Sequence, residues 1–125
     1  LETEKAAIEF VWGYYTNLGY NIKSVEKDNV GWDLEASKGV KKLCIEDKGL
    51  YDTGRQVQLS PNEYRHFTEK KQNYRLCIVN NALSKIAPNL FICYYDKDKH
   101  SWLVKENSKI KITLSEQLSV IIKLD

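Results

Sequence analysis

At 125 residues, with 42% hydrophobic and 29% charged side chains, the chain has the makeup of one globular domain with its own core, which excludes a disordered tail. A formal charge of +2 is too small to name a polyanion partner by itself, and no apolar run is long enough for a membrane span or signal peptide. Cys44, Cys77 and Cys93 lack the close spacing of a zinc or redox motif, so each reads as a small buried hydrophobe of a reducing, cytoplasmic compartment.

The chain starts at Leu1 and contains no methionine, and it reads as a fragment of a longer protein. Residues 2 to 18 read as a helix, with Ala7, Phe10, Val11, Tyr14 and Leu18 at helical spacing and Gly19 placed to end it. Its wet stripe includes Glu9. Tyr20 to Glu26 alternates as a strand, and Lys27-Asp28-Asn29 supplies a turn. Trp32, Leu34 and Ala36 then alternate with Asp33, Glu35 and Ser37 in a half-buried strand. After a turn at Lys38-Gly39, Lys42, Cys44, Glu46 and Lys48 alternate with Leu43, Ile45 and Asp47 in the next strand.

An even-length loop at Lys38-Gly39 pairs Ser37 with Val40 and Asp33 with Cys44. Glu46 is then a diagonal neighbour of Asp33 on the same face, with Lys48 one pleat further on. An odd-length loop would mix polar and apolar residues on one side. Gly49 to Arg55 reads as a loop and Gln56 to Leu59 as a short strand with both glutamines on one side. Ser60-Pro61-Asn62-Glu63 is a helix start: a capping serine, proline at the first helical position and Glu63 to complete a capping box. That helix runs to about Lys71, with Tyr64 and Phe67 inward. Strands follow at Tyr74 to Val79, Leu90 to Tyr95 and Trp102 to Val104, while Leu118 to Leu124 stays open between strand and helix. The expected fold class is α/β, one domain over residues 1–125 with a mixed central sheet flanked by helices.

Asp33, Glu46 and Lys48 carry the chemistry. Two hard carboxylate oxygens suit Mg²⁺ or Mn²⁺, and a nearby ammonium steers water and offsets developing negative charge, the needs of phosphodiester cleavage. Aspartate is a poor strand former, and two charges on one face of an apolar strand ask for an explanation beyond surface solvation. The basic run Arg65, His66, Lys70, Lys71 and Arg75 permits phosphate contacts, although such runs commonly form solvated faces. His66 and His100 have no ligand-spaced partners and read as surface residues, and Trp12, Trp32 and Trp102 read as core.

In this order, the helix, the hairpin, Gly31-Trp32-Asp33, Glu46-Asp47-Lys48-Gly49 and Leu59-Ser60-Pro61-Asn62-Glu63 resemble the C-terminal domain of NO VEIN-like proteins over about residues 5 to 95. That domain looks like a branch of the PD-(D/E)XK nuclease superfamily found in restriction and defence proteins. The resemblance implies a restriction-endonuclease-like architecture, a Mg²⁺- or Mn²⁺-dependent endodeoxyribonuclease, and catalytic roles for Asp33, Glu46 and Lys48. Asp33 and Glu46 would hold the metal, with the carbonyl of Asp47 completing its shell. Gln58 matches a position that helps bind water or phosphate, and Glu9 resembles an acidic position of some members, although its place on the wet stripe argues against catalysis. Gln56 and Tyr51 are further candidates for touching substrate. The expected partners are DNA, other domains of the parent protein and, as an open option, a second copy of the chain; no membrane is expected.

The middle residue of Glu-x-Lys is usually apolar, but here it is Asp47. A buried, unpaired carboxylate is costly, so this strand end is either solvated or supplied with a partner. Two other readings keep the fold: an inactive nucleic-acid-binding or interaction module, and a scaffold whose carboxylates only form salt bridges.

Overall fold

The chain's structure, a computed structural model, describes residues 2–107, 109–116 and 122–124. Helix α1 (Glu2–Asn17) leads into strand β1 (Asn21–Ser24) and a 3-10 helix (Glu26–Asp28). Strands β2 (Leu34–Lys38) and β3 (Lys41–Gly49) follow, then helix α2 (Pro61–Glu69) and strands β4 (Tyr74–Asn80), β5 (Asn89–Asp96) and β6 (Ser101–Val104). The six strands form one sheet in chain order, with β3 and β4 parallel and every other neighbouring pair antiparallel. Antiparallel neighbours need only short turns, whereas the parallel pair needs a crossover, which α2 provides. The result is the expected α/β architecture, with a mixed sheet between two helices.

Each helix seals one face. On α1, Ala7, Val11 and Tyr15 recur every four residues and pack on Leu34, Ala36, Leu43 and Ile45. The buried stripe is rotated from the expected one, so Phe10 and Leu18 stand partly in solvent at 38% and 42% exposure. On the other face Phe67 of α2 joins Tyr74, Leu76, Cys93 and Val104, stacking on Trp102 with ring centroids 3.8 Å apart. Cys44, Cys77 and Cys93 are free and buried, as their apolar settings suggest. Trp32 and Trp102 pack against the second cluster, but Trp12 is exposed.

Several expectations change in detail. The first strand is shorter than Tyr20 to Glu26, because its end winds into the 3-10 helix that Asn29 closes at φ +52. The second hairpin turns at Gly39-Val40 rather than Lys38-Gly39, since Lys38 pairs with Lys41. Gly39 takes φ +61 as the first loop residue, a conformation glycine adopts freely in two-residue hairpins. Ser37 therefore pairs with Lys42 and Glu35 with Cys44. The register slides by two residues, which keeps every side chain on its expected face.

The segment Gln56 to Leu59 is not a strand. Val57 and Leu59 still pack inward and Gln56 and Gln58 outward, but among the described residues no strand pairs with this segment. Beyond β6 the described residues form no regular element, although Ile110 and Ile112 pack against the α2 face. Of the open segment Leu118 to Leu124, residues 118–121 fall outside the described residues, and 122–124 carry no regular structure. Among the described residues, no helix is long and apolar enough to cross a membrane.

Candidate metal and phosphodiester site

The site forms on the α2 face, where β2 begins beside the second half of β3. Leu34 pairs with Ile45, so the residue before it, Asp33, comes alongside Glu46 and Asp47. Asp33 is held on three sides. Its N–H donates to Ile45 O at 2.9 Å, its carbonyl accepts from Val25 N–H at 2.8 Å, and its Oδ2 accepts from Asp47 N–H at 2.8 Å. The turn before it is equally fixed. The Tyr74 hydroxyl donates to Gly31 O at 3.1 Å, and the His66 ring lies where a side chain on Gly31 would be. His66 is thus a docking residue between α2 and this turn, not the surface residue its sequence context suggested.

Glu46 and Lys48 share this face. Glu46 is 3% exposed, and Lys48 Nζ stands 3.4 Å from its Oε2. The same ammonium lies 2.9 Å from Glu63 Oε1 at the start of α2. Glu63 also completes the capping box: its Oε1 accepts from Ser60 N–H at 2.8 Å, and its own N–H donates to Ser60 Oγ at 3.2 Å. Three carboxyl groups, Asp33, Glu46 and Glu63, thus face the Lys48 ammonium, whose charge acts on each of them.

Their protonation reflects burial first and the surrounding charges second. Burial pushes the Asp33 carboxyl up to about 6, although the Asp47 N–H bond pulls it down and the charges of Glu26 and Glu63 add to the rise. Glu46 rises to about 9, first from burial and then from repulsion by Asp33 and Glu63. Burial alone would raise Glu63 as well, but the bonds from Lys48 and Ser60 N–H outweigh it and hold that carboxyl below its ordinary range. Burial disfavours charge on Lys48 too, yet the bond to Glu63 and the Glu46 charge leave the ammonium more strongly protonated than usual.

Asp47 turns the other way, under α1. It is 2% exposed, and neither of its carboxylate oxygens has a hydrogen-bond partner among the described residues. The two escapes expected from sequence, a solvated strand end or a partner, are both absent. Burial first, then the charges of Asp33 and Glu46, raise its carboxyl well above the usual range. Its side chain is therefore no ligand on the α2 face. Its main chain remains on the right side, because N–H and C=O of one strand residue leave in the same direction and this N–H points at Asp33.

Asp33, Glu46 and Lys48 are thus brought together. Tyr51, Gln56 and Gln58 are not: Tyr51 is 75% exposed in the loop after β3, and both glutamines face solvent. Among the described residues no hydrogen bond joins these three to the acidic pair. Glu9 is exposed on α1. What sequence reasoning missed is the second role of Glu63, since the capping box already accounts for it locally.

Among the described residues, no group of three or more His, Cys, Asp and Glu side chains is disposed to hold a metal unaided. Mg²⁺ commonly takes one or two carboxylates and completes six oxygen ligands with water and phosphate. Asp33 and Glu46, hard oxygen donors raised first by burial and then by neighbouring carboxylates, fit that demand. No curated protein and no solved structure matches the chain. Residues 3–93 match the family described as Protein NO VEIN, C-terminal, and the chain belongs to that family.

Proposed function

We propose that the domain hydrolyses DNA phosphodiesters with Mg²⁺ or Mn²⁺, as the endonuclease module of a larger restriction, defence or DNA-processing protein. The architecture would be that of the PD-(D/E)XK nuclease-like superfamily, which a mixed sheet with a helix on each face supports without being specific to it. The observation that carries the reading is the meeting of Asp33 and Glu46 with the Lys48 ammonium, 3.4 Å from Glu46, on one half-buried face.

In this reading Asp33 and Glu46 hold the divalent ion, aided by the Asp47 carbonyl. The ion would withdraw charge from the scissile phosphate and acidify a water. Asp33 is fixed by its bond from Asp47 N–H, so its free oxygen keeps one direction. Lys48 orients the attacking water and stabilises the added negative charge on the phosphoryl oxygens in the transition state. Burial of Glu46 strengthens these interactions, because the local dielectric is low.

Plasmid nicking with Mn²⁺ tests this. The wild-type chain is expected to nick, while Lys48→Ala loses at least about a hundredfold in rate, the usual cost of removing one preorganised charge stabiliser. Equal nicking by wild type and Lys48→Ala would end the nuclease reading.

One observation favours a second reading, a catalytically inactive nucleic-acid-binding module. The position between Glu46 and Lys48, usually apolar in the superfamily, holds a buried carboxyl without a hydrogen-bond partner among the described residues. A salt-sensitive shift of labelled DNA without metal, together with no nicking in Mn²⁺, would select it.

A further inference from the structure

We infer that Glu63 is a positioning residue, which keeps the Lys48 ammonium at the site when the neighbouring carboxylates take up a cation. This inference rests on the site proposed above and adds a residue from a different element. Lys48 Nζ stands between two carboxyl groups, 2.9 Å from Glu63 and 3.4 Å from Glu46. A divalent ion on Glu46 would repel an ammonium so close, and lysine's four-carbon stem is flexible enough to swing away. Glu63 opposes that movement with a charge of its own.

The carboxylate is rigidly placed. It projects from the first turn of α2, and the oxygen that takes the Lys48 bond also takes Ser60 N–H at 2.8 Å. The connecting segment is fastened at its near end to the end of β4, where Leu50 N–H donates to Val79 O and Ala82 N–H to Leu50 O. The cap alone does not demand an acid here, because glutamine completes a capping box as well as glutamate does. A negative charge in the first turn suits the helix N-terminus as well, but the cation that Glu63 directly contacts is the Lys48 ammonium, 2.9 Å away.

Two substitutions separate the roles. Glu63→Gln keeps the reciprocal cap and removes the charge, whereas Ser60→Ala breaks the cap and leaves the carboxylate. The readouts are thermal midpoint, DNA affinity, single-turnover nicking in Mn²⁺, and the ¹⁵N–¹H NMR correlation of the Lys48 side-chain ammonium, which persists only while the amine is held against exchange. For Glu63→Gln the expectation is a near wild-type midpoint and DNA affinity, loss of the ammonium signal, and a roughly ten- to hundredfold slower nicking step. Ser60→Ala is expected to lower the midpoint while keeping the signal and the rate.

An intact Lys48 signal in Glu63→Gln would overturn the inference. So would equal loss of signal in both variants, because Glu63 would then act only through the cap. Failure of the wild-type chain to nick would count against the nuclease reading alone, since the ammonium signal reports the positioning without turnover.

Discussion

Glu46 and Asp47 are consecutive residues of one strand, equally buried, and they lie in opposite worlds. On the α2 face Glu46 is answered by Lys48, flanked by Asp33 and reached by Glu63 from the next helix. On the α1 face Asp47 lies among core residues, with both side-chain oxygens lacking a hydrogen-bond partner among the described residues. Burial raises both carboxyls, so burial alone does not mark a site. What distinguishes the α2 face is convergence: groups from the entry to β2, from β3 and from α2 meet there, tied by the Asp47 N–H bond to Asp33 and by the Lys48 contacts to Glu46 and Glu63.

That difference is open to experiment. The largest expected effect on stability is at the joint that brings α2 to the site. Gly31 sits at φ +97, and an added Cβ would come within 2.1 Å of His66 Cδ2. Gly31→Ala is expected to cost about 3 kcal/mol, from the left-handed backbone and the overpacking together. Denaturant unfolding measures this, and a cost near zero would mean that the joint is loose.

A smaller effect of opposite sign is expected on the other face. Asp47→Val removes a buried, unpartnered carboxyl and supplies a branched apolar residue that suits a strand, so it should stabilise by about 1–2 kcal/mol. Because the side chain points away from Glu46 and Lys48, Mn²⁺-dependent nicking should survive. Loss of stability in Asp47→Val would show that this carboxyl has a partner after all.

The response to pH should join the two faces. Asp33 and Glu46 have folded-state values near 6 and 9, above their ordinary 3.8 and 4.5. A raised folded value means that the folded state holds the proton more tightly than the unfolded state does. Their contribution is therefore fully present below the ordinary carboxylate range and is lost as pH rises through about 6 and about 9. Asp47 adds in the same direction. In a chelator the thermal midpoint should fall across this window. Mg²⁺ should reduce the fall, because it binds the ionised carboxylates. Glu46→Gln should flatten the upper part of the curve, and an unchanged curve would contradict the assignment.

Much of the site is legible in the sequence because β3 alternates so clearly. Leu43 and Ile45 against Cys44, Glu46 and Lys48 assign the faces without knowledge of the register, and a slip of two residues leaves them intact. The turn itself lies one position beyond the expected one, since Lys38-Gly39 and Gly39-Val40 both offer a glycine and only the geometry chooses between them. The capping box at Ser60 and Glu63 is local chemistry and equally readable. Less visible are contacts whose cause is tertiary. Nothing near Glu63 announces Lys48, fifteen residues earlier, and nothing near His66 announces Gly31. Gln56 to Leu59 alternates like a strand but pairs with no strand among the described residues, which no local pattern reveals.

The central claim is that Asp33 and Glu46 form a cation site on the α2 face. Calorimetric titration of the wild-type chain and of Asp33→Ala with Mn²⁺ tests it most directly, with each variant's fold checked by its thermal midpoint. The account predicts a saturable site in the wild-type chain that disappears in folded Asp33→Ala. No binding by the wild-type chain, or identical binding by both, would contradict it.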